Sequence, residues 1–200
     1  MKFILGTKQN MTQLFDETGK VHPVTVVKTS PAVVTQVKSV EKDGYAAVQI
    51  GFGTKRASRI NKPRTGQMKG LGSFLTLMEV KNTSATSVGD KIADEFAAGD
   101  TVEVSAISKA KGFQGVVKRH NFGGGPRSHG QKHSEREPGS IGAGGYQRVF
   151  KGRRMAGRMG GDRVTVKNLT VVSYDATSGE LFIRGAIPGR RGTMVEVRGK

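Results

Sequence analysis

Twelve lysines and arginines crowd into 52 residues of this 200-residue chain: Lys109, Lys111, Lys118, Arg119, Arg127, Lys132, Arg136, Arg148, Lys151, Arg153, Arg154 and Arg158. Only Glu135 and Glu137 oppose them, while three of the four histidines (His120, His129 and His133) and thirteen of the 29 glycines share the stretch 109–160. Cations at this density repel one another, and a polyanion removes the repulsion while releasing its own counterions. Arginine meets phosphate with a planar fork, lysine with a point charge, and glycine lets the backbone come close. Phe113, Phe122, Tyr146 and Phe150 are interleaved with the cations and offer faces on which unpaired bases stack. The competing reading is a solvated basic linker, but linkers seldom combine such charge with aromatic residues and methionine.

A second cationic run, 53–72, holds Lys55, Arg56, Arg59, Lys62, Arg64 and Lys69 with no acid. Pro63 and Gly70 bracket a short helix there. This run is either a solvated helix face or a second phosphate-contacting surface.

Other chemistries find no support. Gly142-Ala143-Gly144 has Gln147 where a dinucleotide-binding turn needs its third glycine, and no βαβ pattern surrounds it. Gly152 to Gly157 is followed by Arg158-Met159 rather than Lys-Ser or Lys-Thr, so it is no phosphate-binding P-loop. His129 and His133 have a helical metal-ligand spacing but lie among Gly and Pro, with no carboxylate or thiol to complete a set. Contact with phosphate or base suits them better. Glu135 and Glu137 read as internal partners of neighbouring cations, and no nucleophile elbow or acid pair appears. No enzyme, cofactor, metal or small-molecule substrate is expected.

The net charge is +17, and about +7 remains when the central stretch is set aside. Such concentration favours nucleic acid as partner. No basic amphipathic helix or long apolar run points to a membrane. Cysteine is absent, which excludes disulfides and thiolate metal sites. The apolar run Phe3–Leu5 is too short for a signal peptide, so a cytoplasmic location is expected.

The elements that must hold these cations read as short strands. Phe3–Leu5 is expected as an edge strand, followed by a turn-rich stretch to Gly19. His22–Thr29, Ala32–Val40, Tyr45–Phe52, Ser73–Val80, Thr101–Ser108, Arg163–Tyr174, Glu180–Ile187 and Thr193–Arg198 are strand-like. Glu41–Gly44 reads as a hairpin turn, 82–87 as a polar loop, and Arg190 and Arg191 as the tip of a turn. Val102, Val104 and Ala106 face one side of their strand, Glu103 and Ser105 the other. No internal repeat is present. A mainly-β barrel or sandwich with little helix follows.

Four blocks resemble the universal large-subunit ribosomal protein numbered three, the L-three family, in its bacterial form: Gly6–Phe15 (GTKQNMTQLF), Pro23–Val27 (PVTVV), Ser108–Arg119 (SKAKGFQGVVKR), and Pro138–Gly142 with Arg148–Gly160 (PGSIG, RVFKGRRMAGRMG). The resemblance covers nearly the whole chain. It implies a six-stranded translation-protein-type β barrel with a small α+β insertion and a long basic Gly-rich extension. On this chain the barrel with inserted elements would take 1–52, 73–111 and 161–200, the basic insertion 53–72, and the rRNA-penetrating loop 112–160. The family binds 23S rRNA near its 3′ end early in assembly. Its extension approaches the peptidyl transferase centre without supplying a catalytic group, which places Pro138–Lys151 deepest here. Ribosomal proteins fourteen and nineteen would be its neighbours. The cations and histidines named above, with Tyr146, are then the rRNA-binding set.

Departures from the family pattern are local. Asn10 stands where the family usually has Gly, and Asn tolerates positive φ. Ala110 replaces a Gly, and the tip 143–148 is shorter by one residue. The methylated Gln of some bacterial members has no clear counterpart in Gln147, and His120 stands where many members have Trp. The alternative to the ribosomal reading is a sequence-tolerant nucleic-acid-binding architectural protein.

Overall fold

The computed structural model describes residues 2–81, 87–92 and 96–199. The chain forms two units, Met1–Ile107 with Arg163–Lys200, and Ser108–Asp162. The strands, in order, are β1 (Phe3–Phe15), β2 (Val21–Thr29), β3 (Ala32–Lys38), β4 (Ala47–Thr54), β5 (Phe74–Val80), β6 (Lys91–Ile92), β7 (Thr101–Ile107), β8 (Phe113–Gln114), β9 (Gly157–Arg158), β10 (Arg163–Asp175), β11 (Glu180–Arg184) and β12 (Met194–Gly199). Among the described residues helix is confined to short pieces: α1 (Val40–Asp43), α2 (Lys62–Gln67), α3 (Val116–His120) and 3-10 turns at Ala57–Arg59 and Gly144–Tyr146. The mainly-β expectation holds.

In the first unit, six antiparallel strands close in the order β1-β12-β7-β10-β11-β2. Their inward residues recur at every second position, as a pleated strand dictates: Val102, Val104 and Ala106 on β7, Leu181 and Ile183 on β11, Val195 and Val197 on β12. Ile4, Val27, Val171 and Phe96 complete this core. Ser105, expected to face solvent, is instead buried, and its hydroxyl lies 2.7 Å from that of Thr165 on the neighbouring strand. The paired hydroxyl satisfies the hydrogen-bonding need of a buried polar group.

The other sheet, in the order β5-β4-β3-β6, packs its own cluster of Ala32, Val34, Val48, Ile50, Phe52, Val80 and Ile92 against Phe3 and Leu5 of β1. Consecutive side chains of β1 thus enter opposite cores.

Several sequence expectations change. Phe3–Leu5 begins not a short edge strand but a 13-residue strand, paired with β12 over Phe3–Thr7 and with β2 from Gly6 onward, running through the stretch read as turn-rich. The β1–β2 register shifts between Lys8 and Met11. Asn10 lies in this irregularity, and the positive φ anticipated for it is absent. The turn at Glu41–Gly44 is one turn of helix, closed by Gly44 at φ 78°. On β10 the register shifts twice, and Asn168 takes φ 57° at the first shift, bending a strand too long to stay flat. The polar loop expected at 82–87 lies, apart from Ser87, outside the described residues, as do residues 93–95 of the neighbouring segment.

Leu181 is fully buried in the barrel. Leu181→Ala should lower unfolding free energy by roughly 2–5 kcal/mol in chemical denaturation. Leu75→Ala, at a half-exposed position, should change it by less than about 0.5 kcal/mol.

Three turn carboxylates should make the fold acid-sensitive. The Thr18 hydroxyl and Lys20 amide hold Asp16 far below the usual carboxylate range. Lys2 and the Ala97 amide lower Asp100, and Ser178 lowers Asp175. A depressed native pKa means stability present above the unfolded value of about 4 and lost as pH falls below it. Thermal midpoints should therefore drop between pH 5 and pH 2.5, by less in Asp16→Asn.

Candidate nucleic-acid interface

The second unit is built on a thin base. Ser108–Gln114 and Gly157–Asp162 run antiparallel: Ser108 N–H donates to Asp162 O (2.9 Å), Lys111 N–H to Met159 O (2.9 Å) and Met159 N–H to Gly112 O (3.0 Å). β8 and β9 continue the pairing, with Phe113 opposite Arg158. The short helix α3 follows and ends at Asn121, in the left-handed region at φ 58°. Arg119 donates from Nη1 to Met155 O (2.7 Å), and His120 Nε2 lies 3.0 Å from the same oxygen. Gly157 makes room for this, since a Cβ there would stand 2.7 Å from the Arg119 guanidinium.

Beyond α3 the chain has no regular element until the turn at Gly144–Tyr146. Its conformation rests on local contacts. Gly125 N–H donates to Glu135 O (2.9 Å), and Arg127 pairs with the Glu135 carboxylate (2.6 Å). Gly124, at φ 74°, lies against the Glu135 carbonyl too closely for any side chain. At the far end Tyr146 meets Phe150 edge-on, with centroids 4.9 Å apart, and the Arg148 guanidinium lies 5.7 Å from the Phe150 ring. Arg153 donates to Ser140 O.

Val116 is the one buried side chain in this unit among the described residues. Lys109, Lys111, Lys118, Arg127, Lys132, Arg136, Arg148, Lys151, Arg153, Arg154 and Arg158 are exposed, and Arg119 and His120 are partly covered. Among these twelve cations Arg127 alone forms an ion pair, so the structure leaves the other eleven charges uncompensated by any acid among the described residues. Of the two acids read as internal partners, Glu135 takes that role and Glu137 does not. The aromatic faces are accessible: Phe113 is 77% exposed, Tyr146 62% and Phe150 48%. His129 and His133 sit in exposed, non-helical chain, His129 at φ 59°. The helical spacing that made them resemble ligands is therefore not realised.

The second basic run belongs to the first unit. β4 ends at Thr54, the chain turns through Ala57–Arg59, and α2 starts with Pro63 in its first turn. Met68, just past α2, is buried and pins the run. Arg56, Arg59, Lys62 and Lys69 are exposed, Lys55 and Arg64 partly so, and no ion pair involves them among the described residues. The structure adds two cations outside the sequence-derived set. Arg190 and Arg191 are exposed on the turn before β12, which is locked to β1 by Gly192 N–H to Lys8 O (2.8 Å) and Lys8 N–H to Thr193 O (2.9 Å). The Lys8 ammonium also donates to Ile187 O (2.7 Å) and Gly189 O (3.1 Å). Pro188-Gly189 marked that turn in the sequence, but its anchoring to β1 was not visible there.

A β scaffold bearing uncompensated cations and accessible aromatic rings fits a nucleic-acid-binding class of protein. The family model described as Ribosomal protein L3 matches residues 66–180. The chain is 48% identical to the large ribosomal subunit protein uL3 of Acidothermus cellulolyticus, covering 99% of this chain and 92% of the relative. It is 52% identical to that of Heliobacterium modesticaldum (97% and 95% covered) and 48% to that of Herpetosiphon aurantiacus (97% and 94%). The chain belongs to the ribosomal protein L3 family, whose members are structural, non-enzymatic constituents of the large ribosomal subunit.

With one buried side chain in the unit, hydrophobic burial cannot hold 122–146 in the free protein. Amides there should exchange within seconds to minutes, whereas Val104 and Val197, paired deep in the barrel, should stay protected for hours or longer. Hydrogen–deuterium exchange on isolated protein checks this.

Proposed function

We propose that this protein binds 23S rRNA near its 3′ end and nucleates large-subunit assembly in the cytoplasm. In this reading the barrel is of the translation-protein type. It spans 1–52, 73–111 and 161–200 with its inserted elements, and docks on folded RNA through its loops. The run 53–72 forms a second phosphate-contacting surface. Segment 112–160 threads between RNA helices toward the peptidyl transferase centre, with Pro138–Lys151 deepest. It orders on the RNA and neutralises phosphates there, adding no catalytic group. Ribosomal proteins fourteen and nineteen are its neighbours in the subunit.

One observation carries this reading: eleven cations without acidic partners on a segment that buries a single side chain. A polyanion supplies both the missing countercharge and the missing packing.

If about eight phosphates are neutralised, log affinity for a 23S rRNA 3′ fragment should fall against log salt with a slope of roughly −6 to −7. Arg153→Ala should reduce affinity only a few-fold, because the electrostatic contribution is distributed. In the cell extract, the protein should stay with the large subunit through a high-salt wash. Release by that wash, with equal affinity for duplex DNA, would instead indicate a sequence-tolerant architectural protein.

A further inference from the structure

Glu137 is out of place on a surface that receives phosphates. It sits among cations yet pairs with none of them, whereas Glu135, two residues earlier, is held by Arg127. A carboxylate facing RNA repels phosphate and accepts hydrogen bonds only from donor groups. The donors that RNA offers are on its bases and its 2′-hydroxyls.

Glu137 lines a concavity of about 570 Å³ within the second unit, shared with Phe122, Gln131 and the glycine run Gly123–Gly125. The size falls in the usual range for small-ligand pockets. Phe122 supplies the aromatic wall, backed by His120 with ring centroids 6.0 Å apart. The glycine run leaves one wall free of side chains. A Cβ on Gly125 would stand 2.9 Å from the Gln131 side-chain amide and 3.1 Å from Ser134 O. The hydrogen bond from Gly125 to Glu135 and the Arg127–Glu135 ion pair close the loop around the hollow, a shape that bound RNA would hold. Pro126 and Pro138, also in the lining, stiffen both flanks.

Resting on the rRNA-binding reading above, we propose that this hollow is a recognition pocket for one unpaired guanine of the RNA. The base stacks on Phe122 and presents its N1–H and N2 amino donors to the Glu137 carboxylate, while the Gln131 amide donates to O6. Guanine is the base with two adjacent donors beside an acceptor on its pairing edge, so it matches an acceptor-only carboxylate next to an amide. Cationic neighbours Lys132 and Arg136 hold the flanking phosphates, which lets an acid remain in contact with a polyanion.

The test uses the full-length protein and a 23S rRNA 3′ fragment, with kethoxal as a probe of unpaired guanine pairing edges. Wild type should protect one such guanine, and Glu137→Gln should restore its reactivity. The affinity change distinguishes recognition from bulk charge. Removing a negative charge tightens binding if Glu137 acts only through electrostatics, but loosens it about tenfold if the carboxylate holds a base. Replacing that guanine with inosine, which lacks the N2 amino group, should weaken wild type and leave Glu137→Gln nearly unaffected. Phe122→Leu should lose the same protection. Tighter binding by Glu137→Gln, or protection unchanged by it, overturns the pocket while leaving RNA binding intact. Failure of wild type to bind the fragment overturns the rRNA reading and the pocket with it.

Discussion

Three consecutive side chains near the start of the chain hold the first unit together. Ile4 points into the barrel, while Phe3 and Leu5 point into the cluster beneath the second sheet. The period of two along a strand makes this unavoidable: once Ile4 is inside, its neighbours must leave by the other face. β1 also pairs with β2 on one side and β12 on the other. It therefore closes the barrel and roofs the second core at once. A one-residue slip would place Ile4 in the wrong core and expel Phe3 and Leu5 from theirs.

The rest of the first unit follows from holding that register. The irregularity between Lys8 and Met11 bends β1 after it has served both cores. The Lys8 backbone then pairs with the turn before β12, and its ammonium caps two carbonyls of that turn, which fixes Arg190 and Arg191 on one edge. At the mouth of β10, Arg163 and Arg198 both reach the buried Glu196 carboxylate. A lone charge at that depth would be costly, and two guanidinium partners offset it. Rigid β structure thus flanks both ends of the cationic segment in sequence, through β7 and β10.

The second unit follows another logic. It has a short ladder, one helical turn capped by Asn121, one buried valine and few internal polar contacts. Its sequence gives up core-forming residues for glycine and cations. The ordering entropy of such a chain exceeds what its own contacts return. Its own contacts therefore do little to hold it, and eleven of its twelve lysine and arginine charges stay open rather than paired with an acid among the described residues.

Much of this was legible in the residues themselves. The density of Lys and Arg in 109–160 and the near absence of acids depend on composition alone, so the concentration of positive charge needed no fold. The alternating valines of β7 and the threonine- and valine-rich runs declared strands, because a half-buried pleat requires them. Sequence could not say that β1 runs to Phe15, since Thr7–Thr12 carries few apolar side chains and is held by backbone pairing, chiefly to β2. Nor could it bury Ser105, whose place depends on Thr165, sixty residues away. The helical turn at Val40–Asp43, Arg119 tied to Met155, and the division of Glu135 from Glu137 were likewise closed to it. Composition and local period determine what a segment can bind and which elements it favours. Which strands meet, which polar groups find partners, and which charge is left over are decided by contacts between distant residues, and those exist only once the chain has folded.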